Sequence, residues 1–304
     1  MTERQTCLGG GDVAAIAGLS RYRTAMDVYL AKVEGVEVEQ TDVMRRGVTL
    51  ELPLLDAYGQ MTQRPCIQKS DELLRHPDKT WAGGHIDAIS GDRIVEAKTT
   101  TRFDAWADGV PFDVNTQVQW YMAVAGKASA DVVASIASEG TFSVLRDVVE
   151  KTPRDEMARL IIAHTDFRVI EVPRDDELIA ALLETGEKFW TDNVLAKVPP
   201  PITSPADARK LWPVQSPGLT IEASGELYGL ILSLPELKAQ QKKWADEEER
   251  IKTLIMAELQ DAEILTINDV PVFTWREVKR KGFTVEESSS RRLAEATKKD
   301  RGEK

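Results

Sequence analysis

Apolar positions recur along this chain with two periods, and each period predicts a kind of element. Helical spacing covers residues 24–33, 47–58 and 115–124. The second of these is apolar at Val48, Leu50, Leu52, Leu54 and Leu55, with Glu51 set among them. Residues 235–260 form a charged helical stretch in which Leu237, Trp244 and Ile251 recur every seven residues, widened by Leu254, Ile255 and Leu259. Short apolar runs between turn residues predict strands at 84–89, 94–99, 131–138 and 142–147. Near the C-terminus, Ile264-Leu-Thr-Ile267, the turn Asn268-Asp269 and Pro271-Val-Phe-Thr-Trp275 read as a hairpin. Gly9-Gly-Gly-Asp12 reads as a loop opening a short helix, with Asp12 as its N-cap. This order of elements predicts an α+β fold on an antiparallel-to-mixed sheet.

Proline sets the punctuation. Pro199, Pro200, Pro201, Pro205, Pro213 and Pro217 crowd residues 198–217. Proline fixes φ and removes a backbone donor, so this stretch predicts an extended connector. The expected organisation is a domain over 1–202, a connector over 203–217, and a helix-plus-hairpin extension over 218–304. A chain of 304 residues, 42% hydrophobic and 29% charged, has material for about two domains and a sizeable core. Two cysteines, Cys7 and Cys66, are too few for a disulfide framework or a four-Cys zinc site. The histidines His76, His85 and His164 fall in no HxxxH or HxH pattern, and no GxGxxG or Walker-type phosphate loop occurs. No apolar run nears the roughly 18–20 residues that span a bilayer, and the N-terminus has no signal-peptide core. The expectation is a soluble cytoplasmic protein with no membrane partner.

Net charge is −11, which excludes a small, uniformly basic nucleic-acid binder. A basic groove or tail can still sit on an acidic body. Residues 275–304 show that asymmetry, with ten Lys/Arg against six Asp/Glu and clusters at Lys279-Arg-Lys281, Arg291-Arg292 and Lys298-Lys299. Most such tails are simply solvated. The sharper expectation is contact with DNA phosphates.

Candidate chemistry gathers between Gly83 and Lys98. Ser90-Gly-Asp-Arg93 is a four-residue turn between two apolar-rich strands. Pairing Ile89 with Ile94 sets Ala88 opposite Val95 and Asp87 opposite Glu96. Directly opposed residues have Cβ atoms about 4.5–5.5 Å apart, so two carboxylates there repel unless a proton or cation lies between them. Side chains alternate along a strand, which puts Lys98 on the face of Glu96. Hard carboxylate oxygens bind Mg²⁺ or Mn²⁺, a bound ion polarises phosphate and activates water, and an ammonium stabilises transition-state charge. The set suits phosphodiester hydrolysis. The plainer alternative is a surface hairpin with solvated charges. Glu51, on its apolar helix, offers a third carboxylate, and Gln117, sharing a helix face with Tyr121, offers an amide.

Four stretches now stand in order: Gly10-Gly-Asp-Val-Ala-Ala-Ile-Ala-Gly-Leu-Ser20-Arg-Tyr-Arg-Thr24, Gly47-x₃-Glu51, Gly84-x-x-Asp87 with Glu96-Ala-Lys98, and Gln117-Val-Gln119. Together they resemble the YqaJ-like viral recombinase family, the phage alkaline exonucleases that include lambda exonuclease, within the PD-(D/E)xK nuclease superfamily. Phe189-Trp190-x₃-Val194-x₄-Pro199-Pro-Pro-Ile202 resembles the close of that domain, so the resemblance covers residues 8–202. It implies a PD-(D/E)xK core, a mixed central sheet flanked by helices. Carried over by position, Asp87 and Glu96 would be metal ligands and Lys98 the catalytic lysine. Glu51 would lie near a second metal or its water, Gln117 near the nucleophilic water, and the Ala97 carbonyl would complete the metal shell. Arg102 resembles a residue that binds the 5′-phosphate, and Ser20 a phosphate-binding hydroxyl. Gly11 stands where the family usually has Ser, and Ile86 where the superfamily has Pro. Neither change removes a metal ligand.

The resemblance further implies Mg²⁺ as cofactor, with Mn²⁺ as the alternative, and two ions per site. It implies processive 5′→3′ digestion of double-stranded DNA ends that releases mononucleotides and leaves 3′ overhangs. A ring-shaped homotrimer and hand-over to a single-strand annealing or recombination protein also follow from it, in a bacterial host cell or from a prophage. Two other readings stay open. One is a different PD-(D/E)xK nuclease, an endonuclease or a RecB-like enzyme. The other is a non-catalytic DNA-binding recombination protein on the same fold.

Overall fold

The computed structural model describes residues 3–36, 39–69 and 71–277, and the chain divides into two units, residues 1–211 and 212–304. The first unit begins with α1 (Gly10–Ile16), α2 (Ala25–Tyr29) and α3 (Asp42–Thr62). Then come β1 (Ile67–Gln68), β2 (Leu73–Arg75), β3 (Gly83–His85), β4 (Ala88–Ser90) and β5 (Arg93–Thr100). After α4 (Phe112–Ala125) and β6 (Ser129–Ile136), the chain forms α5 (Glu139–Val149), α6 (Arg154–His164) and β7 (Asp166–Pro173). It closes with α7 (Asp176–Phe189) and α8 (Pro205–Leu211).

Among the described residues the main sheet runs β1-β4-β5-β6-β7. β5 and β6 are parallel, and the other neighbouring pairs are antiparallel. A strand in a parallel pair is buried on both faces, which is why β6 reads as the near-continuous apolar run Ala130, Val132, Val133, Ala134, Ile136. Alternate side chains supply two cores. Ile94 and Val132 join Ile86, Val118 and Trp120, together with Val13 of α1 and Leu182 of α7. Val95 and Val133 join Leu50 and Leu54 of α3, Phe142 of α5 and Met157 of α6. The sheet thus lies between two helical layers. This is the expected α+β class, with the Asp-x₈-Glu-x-Lys hairpin at its centre. One polar pin crosses it. Asp131, buried in β6, accepts hydrogen bonds from Tyr58 (2.8 Å), Arg64 (3.0 Å) and Arg93 (2.9 Å), so neither carboxylate oxygen is left unpaired.

Four expectations need correction. Residues 142–147 are helical, inside α5. Ser138 caps it by accepting from the Thr141 amide, and Phe142 and Leu145 bury one helical face. The strand over 84–89 is two strands in two sheets, because β3 pairs with β2 while β4 pairs with β1 and β5. The N-cap of α1 is Gly9, and Asp12 sits in the first turn, its carboxylate accepting from the Gly9 amide at 3.0 Å. The connector is only partly extended, since residues 205–211 form α8. The reason is a capping motif: Ser204 accepts from the Asp207 amide (3.2 Å) and Asp207 from the Ser204 amide (3.1 Å), with Pro205 in the first turn, where no donor is required.

In the second unit, α9 spans Gly225–Leu259, ten residues longer at its start than residues 235–260 suggest. Ser224 caps it through the Leu227 amide at 3.3 Å. Leu227, Leu230, Ile231 and Leu234 continue the helical spacing, and Pro235 is carried inside the helix. β8 (Ile264–Ile267) and β9 (Val270–Thr274) form the expected hairpin. Asn268 and Asp269 take φ of 50° and 64°, the left-handed pair that a two-residue turn of matching twist requires. The basic clusters within 278–304 lie outside the described residues. No described helix is long and apolar enough to cross a membrane.

Asp207 carries the packing of α8. It is fully buried and also accepts from the Thr203 amide and hydroxyl and, at 2.7 Å, from the Thr24 hydroxyl of the α2 cap. Asp207→Ala should cost about 1–3 kcal/mol, a lost cap plus the lost hydrogen bonds from Thr24 and Thr203. Denaturant unfolding measures the loss. Limited proteolysis should show new cleavage between residues 198 and 217.

Candidate active site

The β4–β5 ladder has the register read from the sequence, Ile89 with Ile94 and Ala88 with Val95. It ends there. Asp87, next in line, sits on a bend between β3 and β4, and its Oδ2 accepts the Ala97 amide at 2.8 Å. Because N–H and C=O of one strand residue point to the same side, the Ala97 carbonyl also faces the edge held by Asp87, where β4 no longer pairs. Glu96 and Lys98 project from β5 toward α4. Lys98 Nζ lies 2.5 Å from Glu96 Oε1, and Gln117 Nε2 donates to the same oxygen at 2.9 Å. The other oxygen, Glu96 Oε2, is buried with no hydrogen-bond partner. Asp87, Glu96, Ala97, Lys98 and Gln117 are therefore brought together.

The electrostatics follow from burial. Loss of solvent pushes the Asp87 carboxyl well above the ordinary carboxylate range, and the charges of Glu96 and Glu51 push it the same way. Lys98 and the Ala97 amide only partly offset this. Burial works against the Lys98 ammonium too, but Glu96, Asp87 and Asp113 outweigh it and raise its pKa. Lys98 stays charged at neutral pH.

Two glycines let the backbone close on this cluster. A Cβ on Gly10 would stand 2.8 Å from Gln117 Cγ, and one on Gly84 2.6 Å from the Tyr121 ring. Both positions exclude any larger side chain. Gly83 adds a bond, its carbonyl accepting from Trp120 Nε1 at 3.0 Å. In the first turn of α1, Asp12 pairs with Lys32 (2.7 Å) and Arg23 (2.8 Å). Burial alone would raise its carboxyl, but Lys32, Arg23 and the Gly9 amide hold it below the usual range. Asp12, Asp113 and Tyr121 had no site role in the sequence reading. A usable signal existed only for Tyr121, one turn beyond Gln117.

The remaining predicted residues are Glu51, Arg102 and Ser20. Glu51 is on α3 beside buried Leu50 and adds negative charge at Asp87. Among the described residues, no group of three or more His, Cys, Asp or Glu side chains is close enough to hold an ion. Arg102 follows β5, its amide bonded to Thr100 Oγ1 at 3.1 Å, and its guanidinium makes no hydrogen bond or ion pair with the described residues. Ser20 Oγ accepts from the Tyr22 and Arg23 amides, closing a tight turn. What the cluster offers a cation is the carboxylates of Asp87 and Glu96, one of them with an orphaned buried oxygen, and the Ala97 carbonyl. A hard divalent ion that keeps several waters fits that oxygen set.

Residues 1–128 match the family model of the YqaJ-like viral recombinase domain, a stretch that holds Glu51, Asp87, Glu96, Lys98 and Gln117. The resemblance read from the motifs is thus shown. Among curated proteins, the uncharacterized protein YqaJ of Bacillus subtilis (strain 168) is 24% identical over 274 residues, 86% of this chain and 78% of that protein. Among solved structures, the alkaline exonuclease LHK-Exo from Laribacter hongkongensis is similar at TM-score 0.48 and 22% identity, over 64% of this chain and 91% of that one. A phage-related exonuclease from Haemophilus somnus 129PT is similar at TM-score 0.44 and 14% identity, over 63% and 96%.

The raised Asp87 carboxyl couples cation binding to protons. A cation needs the carboxylate, so Mg²⁺ affinity should climb as pH rises above the ordinary carboxylate range (about tenfold for each proton released per pH unit). Calorimetric titration in buffers of different ionisation enthalpy measures that release. Asp87→Asn should abolish both the release and the pH dependence.

Proposed function

We propose that this chain is a Mg²⁺-dependent deoxyribonuclease that digests double-stranded DNA from its ends in the 5′→3′ direction and leaves a 3′ single strand. One observation carries the reading. Asp87, Glu96 and Lys98 meet at the end of the β4–β5 ladder, with Lys98 on Glu96 Oε1, while the buried Glu96 Oε2 has no hydrogen-bond partner among the described residues. Phosphodiester hydrolysis needs that combination of hard oxygens and a fixed positive charge. Direction, mononucleotide release and the 3′ overhang rest on the family resemblance, as do the homotrimer, the annealing partner and the cytoplasmic setting.

Asp87, Glu96 and the Ala97 carbonyl would hold Mg²⁺, which when bound polarises the scissile phosphate and acidifies water. The chain's own residues do the rest. The Ala97 amide fixes the Asp87 carboxylate at the sheet edge. The carboxylates of Glu96 and Asp87 favour the charged form of Lys98, which would stabilise negative charge developing on phosphate. Gln117 holds Glu96 from the α4 side. Arg102, with a guanidinium free of described partners, supplies a two-pronged grip for a terminal phosphate, which a neutral side chain lacks.

Linear duplex labelled at one 5′ or one 3′ terminus, with and without Mg²⁺, tests the reading, with circular duplex alongside. The expected result is Mg²⁺-dependent loss of the 5′ label as mononucleotide, with circles intact. Lys98→Ala should lower kcat about 100-fold or more, the scale of losing a transition-state charge partner. A 5′-phosphate should speed digestion over a 5′-hydroxyl, and Arg102→Ala should shrink the difference. Nicked or linearised circles would favour the endonuclease reading. DNA binding without cleavage under any divalent ion would favour the non-catalytic one.

A further inference from the structure

Beneath the carboxylates lies a second layer that the catalytic roles do not use. Tyr121 sits one helical turn after Gln117, its side chain almost wholly buried. Its ring lies where a Cβ on Gly84 would stand at 2.6 Å, so the β3 backbone has closed onto the aromatic face. Its hydroxyl oxygen is 3.2 Å from Gln117 Nε2, and the same nitrogen is 2.9 Å from Glu96 Oε1.

An amide nitrogen carries two protons and no lone pair to accept with. A carboxylate already paired with an ammonium accepts and does not donate, so Glu96 forces Gln117 to present nitrogen, not oxygen. One proton goes to Glu96, and the second has Tyr121 Oη as its acceptor. With both protons committed, the amide cannot turn over, and Gln117 Oε1 is left facing away from both partners. Oε1 makes no hydrogen bond with the described residues. It is an acceptor of fixed direction on the side chain that binds Glu96.

We infer that Tyr121 is a positioning residue: it holds the Gln117 amide in one orientation, so that Oε1 accepts a hydrogen bond from the water that attacks the phosphate. Without the hydroxyl, a rotor that must satisfy Glu96 alone keeps one proton unassigned and loses the fixed direction of Oε1. The inference rests on the nuclease reading for the attacking water, but the orientation itself does not.

Tyr121→Phe keeps the ring against Gly84 and removes only the acceptor. On linear duplex with Mg²⁺, it should lower kcat about five- to tenfold, the scale of one misplaced hydrogen bond, with KM and Tm unchanged. In a Gln117→Ala background the same substitution should add nothing, because there is no amide left to orient. A Tyr121→Phe enzyme at wild-type kcat, or an equal loss in both backgrounds, overturns the inference and leaves the nuclease reading standing. If the wild type digests no DNA, the nuclease reading fails first, and ¹⁵N–¹H spectra decide the orientation. The Gln117 side-chain amide, assigned by its absence in Gln117→Ala, should show two well-separated, slowly exchanging protons. One of them should shift and exchange faster in Tyr121→Phe. Spectra unchanged by that substitution contradict the hydrogen bond.

Discussion

Two carboxylic side chains and a lysine are held together at the end of a β-ladder where solvent is scarce, and that arrangement carries more negative than positive charge. Asp87 and Glu96 face one ammonium, with Glu51 adding a third negative charge from α3. At the low effective dielectric of such a site, neighbouring like charges raise one another's pKa unless a proton or a cation lies between them. Much of the surrounding structure serves this constraint. The ladder stops one pair early, so the Ala97 amide is free to bind Asp87 instead of another strand. Gly10 and Gly84 let α4 and the β3 backbone approach until Gln117 and Tyr121 reach the cluster.

The rest of the first unit supplies rigidity. A site on strand ends is only as well placed as its sheet, and β5 is paired with β6 along its whole length, with β4 over Arg93–Val95, and covered on both faces. Asp131 pins Tyr58 of α3, Arg64 and Arg93 of β5 to β6, which ties the opposite end of the same hairpin. The strained chemistry at one end of β5 thus sits beside fully satisfied polar contacts at the other. Local conflict of this kind, within an otherwise consistent structure, is what functional sites produce.

The hairpin was legible in the sequence because its signals are local: a Gly-containing turn, two apolar strands and period-two alternation that fixes which side chains share a face. The turn of β8 and β9 was legible for the same reason. Residues 142–147 misled because Phe142, Val144, Leu145 and Val148 satisfy both periods over so short a span, and the deciding signal, the Ser138 cap, lies outside it. The 84–89 run hid its break because Ile86 and Ala88 are buried on both sides of the bend, so hydrophobicity alone carries no mark of it. Prolines in 198–217 pointed to an extended chain, yet Ser204-Pro205-Ala206-Asp207 is also a helix start, and a contact with Thr24 decided between them. Long-range contacts of that kind, like the meeting of Gly84 with Tyr121, leave no local trace.

The central claim is that the carboxylate pair is held in a repulsive arrangement which a divalent cation relieves. Thermal unfolding of the wild type and Asp87→Asn, each with EDTA and with millimolar Mg²⁺, tests it directly. The account predicts that Mg²⁺ raises the wild-type Tm by several degrees, as mass action requires of a ligand that binds only the folded state. It also predicts that Asp87→Asn in EDTA is at least as stable as the wild type and gains nothing from Mg²⁺. A wild type indifferent to Mg²⁺, together with an Asp87→Asn variant that is less stable in EDTA, would contradict it.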